Sequence, residues 1–157
     1  MLLACSVMSG SLGAAEITRS MHKRESCARM LSYLHDRMQY LVPNLQPLLE
    51  SAARQFPELE FLQACQSKMQ RGEPFLAAWQ AALQSEKALG AEQIRWLLDL
   101  GATLGSADLA SQLSALCYAH GLFAQDIAER REGSKKQARL LQNLGVLCGL
   151  LLVIVLI

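Results

Sequence analysis

An all-α protein is predicted, a helical bundle of about six helices with membrane helices at both ends, and three observations carry it. The 157 residues include only four prolines and 6% aromatics, while Leu, Ala, Gln and Glu abound, a usage that favours helices over strands. Fifteen Lys and Arg balance fourteen Asp and Glu, and every one of these charges lies between Glu16 and Arg139. That leaves 15 residues at the front and 18 at the back uncharged. Between those ends, apolar residues recur every three or four positions, the helical period. The length suits one domain, and the near-neutral charge excludes a generally basic nucleic-acid binder or an acidic disordered tail.

The first element, residues 1–17, reads as an N-terminal transmembrane segment. Its uncharged stretch covers about 22 Å as a helix, and no basic region precedes it as in a secretory signal. Ser6, Gly10 and Ala14 form a small-residue face that suits close helix packing. Behind it, Cys27, Leu31, Leu34, Met38 and Leu41 repeat at spacings of 4, 3, 4, 3, a heptad seam on a helix that must end at Val42-Pro43. Pro47, Pro57 and Pro74 each stand where a helix can begin, so short helices are expected over about 47–55, 58–70 and 74–85. Gly90 closes the next turn. Ile94, Leu97, Leu98, Leu100 and Leu104 then wrap most of a central buried helix. Gly105-Ser106-Ala107-Asp108 stops that helix and caps another. Leu109, Leu113, Leu116, His120, Phe123 and Ile127 give a second seam leading toward residue 140. The final stretch, 140–157, spans about 27 Å as a helix against a hydrocarbon core of roughly 30 Å and reads as a C-terminal transmembrane helix. Its Gly145 and Gly149 make a GxxxG face, so the two ends can pack on one another.

Basic residues stay on the cytoplasmic side of a span. Arg19, Lys23, Arg24, Arg29 and Arg37 follow the first segment, and Arg130, Arg131, Lys135, Lys136 and Arg139 precede the second. Residues 18–139 are therefore expected as a cytoplasmic helical domain. Its base is basic and suits membrane lipid, while residues 38–129 hold ten acidic and five basic groups and suit a basic patch on a protein partner.

Signs of chemistry are few. Five widely spaced cysteines without a CxxC suggest neither a disulfide framework nor a zinc site, and fit a reducing compartment. Gly101-x-x-x-Gly105 lacks the lysine and Ser/Thr of a phosphate loop. His120 occupies a seam position near Cys117 and is expected as a buried, hydrogen-bonded core residue. Trp79 and Trp96 are expected to fill core space. Glu58 and Glu60 flank Leu59, point to different faces and form no carboxylate pair. No catalytic set, no cofactor, no metal, no nucleic acid and no small-molecule substrate are expected.

Three stretches carry a family likeness. Ala78-Trp79 with Leu83 follows Gly72; Leu100-Gly101 and Leu104-Gly105 precede Asp108 and Gln112; and Leu144-Gly145-Val146-Leu147-Cys148-Gly149-Leu150 opens the aliphatic ending. In these the chain resembles the stage III sporulation protein AB family of endospore-forming bacteria. The resemblance implies a helical domain similar to the cytoplasmic domain of type II secretion F platform proteins. It also implies a place in the mother-cell membrane facing the forespore, within a secretion-like channel complex. The partners implied are the sporulation secretion-type ATPase (stage III sporulation protein AA) and other membrane proteins of the stage III sporulation A operon. A membrane-anchored helical adaptor unrelated to sporulation, and a small membrane-attached redox enzyme using His120 and Cys117, stand as the alternatives.

Overall fold

The computed structural model describes the backbone of residues 2–40, 44–106 and 108–156, and the side chains of 16–40, 44–105 and 108–133. Six helices follow one another: α1 (Leu2–Tyr40), α2 (Leu45–Gln55), α3 (Glu60–Gln70), α4 (Phe75–Gln84), α5 (Ala91–Ser106) and α6 (Leu109–Leu156). The described residues contain no strand. The chain divides into two compact units, 1–124 and 125–157.

In the first unit α1 packs on α2, α2 on α3, α3 on α4 and α4 on α5. The α1 seam is as expected at Cys27, Leu31, Leu34 and Met38, all buried, while its fifth member, Leu41, lies outside the described residues. Phe61, Leu62, Trp79, Leu83, Leu97 and Leu116 complete the centre of the core. The prolines act at the starts of helices in three ways: Pro47 lies in the first turn of α2, Pro57 stands ahead of α3, and Pro74 is the N-cap residue of α4. Gly72 turns the chain between α3 and α4 with φ +90°, a left-handed conformation that costs a glycine little.

The second seam is a correction. Leu116, Ala119 and Phe123 are buried, Leu109 is 42% exposed, and His120 faces solvent rather than the core. The buried stripe keeps its 3–4 rhythm but passes through Ala119 instead of His120. A small residue at 119 lets α6 approach its neighbours, so the imidazole one position on is turned outward.

In the second unit the described side chains run from Gln125 to Gly133. Gln125 donates to Glu129, and Arg130 pairs with Asp126 at 2.9 Å, both one turn apart on α6. Among the described residues no helix is long and apolar enough to cross a membrane. The side chains of the small-residue faces Ser6, Gly10 and Ala14, and Gly145 and Gly149, lie outside the described residues.

Candidate functional site

The six motif residues identified in the sequence meet at the α4–α5 junction and at the turn that follows it. Trp79 is wholly buried in α4 beside Ala78, and its indole Nε1 donates to the backbone carbonyl of Leu97 on α5 at 2.7 Å. The ring needs room beside that carbonyl, and Gly101, one turn on, provides it: a Cβ there would stand 2.5 Å from Nε1. Phe75 lies one turn before Trp79, with ring centroids 5.6 Å apart, and sits over Gly105, where a Cβ would come within 3.3 Å of its Cδ1. Two rings four residues apart on α4 thus seat on two glycines four residues apart on α5. Phe61 of α3 closes the cluster edge-on, 5.5 Å from Trp79. The Gly101-x-x-x-Gly105 spacing is a helix-packing device.

Asp108 and Gln112 act at the next turn. Asp108 accepts from the Ser111 hydroxyl at 2.6 Å and from its backbone N–H at 3.4 Å, which caps α6 and holds the carboxyl below its ordinary range. Gln112 Nε2 reaches back to the carbonyl of Leu104 at 3.0 Å, satisfying an acceptor in the last turn of α5.

A second cluster, with no local signal in the sequence, ties α1 to the α4–α5 loop. Lys23 Nζ lies 2.9 Å from both carboxylate oxygens of Glu86, and the two side chains are only 6% and 4% exposed. The Ala88 N–H adds a third hydrogen bond to Glu86. Burial pushes the Glu86 carboxyl up, but the bonds from Lys23 and Ala88 outweigh it and hold the group below its usual range. Lower on α1, Ser26 donates to Glu58 at 2.6 Å with Arg29 beside it; chiefly through the Ser26 bond, Glu58 too is held low. Glu60 faces Arg19 at 3.6 Å and Lys23 at 3.8 Å, so Glu58 and Glu60 both reach α1 at separate points. Around this cluster opens a cleft of about 720 Å3, lined by Arg19, Lys23, Glu60, Glu86 and Lys87 among others. Its acids and bases are largely paired with one another.

A smaller groove of about 120 Å3 lies between α5 and α6, lined by Trp96, Asp99, Thr103, Ala115, Tyr118 and Leu122 among others. Half-buried Trp96 stands edge-on to Phe123 at 5.5 Å, while Tyr118 is 71% exposed.

His120 and Cys117 are both exposed on α6, and no hydrogen bond joins them. Cys27 and Cys65 are buried thiols, and burial pushes both up, Cys65 to about 11, the opposite of what a reactive thiolate requires. Among the described residues no group of His, Cys, Asp and Glu is arranged to hold a metal ion.

A family model for stage III sporulation protein AB matches residues 1–157, the whole chain. The chain belongs to that family. No curated protein and no solved structure matches it. In this member of a sporulation family, the tryptophan and the paired glycines that carried the resemblance hold α4 against α5, and the Asp and Gln that follow set the start of α6.

Proposed function

We propose that this stage III sporulation protein AB family member is a non-catalytic membrane component of a secretion-like channel complex between mother cell and forespore. In this role it is a platform for the cytoplasmic sporulation ATPase, stage III sporulation protein AA, and stands beside other membrane proteins of the same operon. The observation that carries the reading is the full-length family match. The charge layout supports it: residues 140–157 are uncharged and as a helix reach about 27 Å, nearly a hydrocarbon core, while five basic residues stand on the body side of each apolar end. A rigid helical body held by buried rings and an α1–loop ion pair suits a part that transmits force rather than one that turns over a substrate.

The native cysteines supply the topological test. Cys117 is exposed, whereas Cys27 and Cys65 are buried, so Cys117 reports for the body once Cys5 and Cys148 of the apolar ends are replaced by serine. In intact sporulating cells a membrane-impermeant thiol reagent is expected to leave Cys117 unlabelled until lysis. Rapid labelling before lysis refutes the cytoplasmic orientation. For the platform role, the ATPase is expected to leave the membrane fraction in cells lacking this chain, and unchanged recruitment refutes it.

A further inference from the structure

We propose that copies of this chain associate head to tail, the tip of α1 in one copy filling the α5–α6 groove of the next. The groove has an apolar floor, a tyrosine on its rim and one carboxylate, Asp99. Asp99 is exposed and makes no ion pair among the described residues. Its volume of about 120 Å3 suits a single ring entering from an open side, since a closed cavity of about 150 Å3 holds benzene. The occupant such a groove selects is an apolar or aromatic side chain with a cation one turn away.

This chain presents such a group. Tyr40 is 81% exposed, the most exposed large apolar side chain described, ahead of Ile17, Leu76, Leu109 and Tyr118. Arg37 lies three residues earlier, on the same side of α1, exposed and resting on the Tyr33 ring at 5.3 Å, without a carboxylate partner among the described residues. Of the other exposed apolar groups, Leu109 adjoins the acidic Asp108 and Leu76 has no neighbouring cation within a helical turn. Ring matches groove and guanidinium matches carboxylate, and both charges lack ion-pair partners within the described part of the chain.

The contact itself does not rest on the membrane reading above. Repeated in one direction from copy to copy, the contact is heterologous and builds rings or rows rather than closed pairs.

The test uses the full chain in detergent micelles, with its mass followed against concentration by sedimentation. Wild type is expected to associate. Asp99→Arg and Arg37→Glu, each placing like charges together, are expected to weaken association about tenfold or more, with the chain still folded: Asp99 is exposed, and Arg37→Glu gives up only the exposed contact with the Tyr33 ring. Mixed, the two variants are expected to associate again in alternation, since every tip then meets a groove of opposite charge on the other variant. A wild-type monomer, variants that associate like wild type, or a mixture that stays monomeric overturns the proposal. So does a Tyr118→Ala chain that associates normally yet fails to support sporulation, which assigns the groove to another protein. Cys117 labelling and ATPase recruitment read the platform role separately, so either reading can fail alone.

Discussion

Replacing Glu86 with Gln tests whether the buried pair with Lys23 fixes α1 to the α4–α5 loop. The substitution keeps the shape and removes the charge, leaving Lys23 at 6% side-chain exposure with Glu60 as its remaining acidic neighbour at 3.8 Å, itself 69% exposed. Removing one member of a buried pair costs about 3 to 5 kcal/mol because the other charge is stranded. Glu60 offsets part of that, so the lower end, about 3 kcal/mol, is expected. At roughly 2 to 4 °C per kcal/mol for a chain of this length the melting temperature should fall by about 6 to 12 °C, read by circular dichroism on the full chain in detergent. A double variant, Lys23→Met with Glu86→Leu, should recover most of the loss, since an apolar pair of similar volume replaces a desolvated one. The pH dependence follows from the lowered Glu86 carboxyl. A folded-state pKa below the unfolded value stabilises fully above the ordinary 4.5, and that stabilisation disappears as pH falls through the lower folded value. Wild type should lose stability across that acidic window, and Glu86→Gln should lose less. A cost under about 1 kcal/mol, the size of a surface pair, refutes the reasoning.

The glycines give a graded series. Gly101→Ala drives a methyl into the Trp79 indole and should cost about 1 to 3 kcal/mol of overpacking. At Gly105→Ala, 3.3 Å from the Phe75 ring, the gain in helix propensity of about 1 kcal/mol should cancel most of the crowding. Gly121→Ala, on an open helix surface with nothing within 4 Å, should stabilise by about 0.5 to 1 kcal/mol; denaturant midpoints rank all three, and a reversed order contradicts the packing described. Trp79→Phe removes the bond to the Leu97 carbonyl and should destabilise by about 2 kcal/mol or more. His120→Ala should leave stability within about 0.5 kcal/mol and sporulation intact, while a folded but inactive variant points to chemistry at His120.

The helices were legible because their ends are punctuated: Pro43, Pro57 and Pro74, Gly90 and Asp108 each interrupt or cap the chain within a few residues of an observed boundary. The α1 seam was legible because Cys27, Leu31, Leu34 and Met38 are all apolar and all buried. On α6, Leu116 and Phe123 of the expected seam are buried, but the buried position between them is Ala119, whose single methyl gives little apolar signal, rather than His120. The motif residues could be picked out, but not their purpose, since the Trp79–Gly101 contact is one of shape between helices. The Lys23–Glu86 pair left no trace, because its members are 63 residues apart and neither side chain belongs to a recognisable pattern.

Since α1 to α4 each pack on the next helix in the chain, each of these contacts can form soon after its second helix is made. Helical proteins dominated by such near-neighbour contacts fold within microseconds to milliseconds, whereas at roughly 5 to 20 residues per second a ribosome needs seconds to add residues 125–157. Residues 1–124 therefore have time to pack as they clear the ribosome, and among their bonds the Lys23–Glu86 pair waits for a partner made 63 residues later.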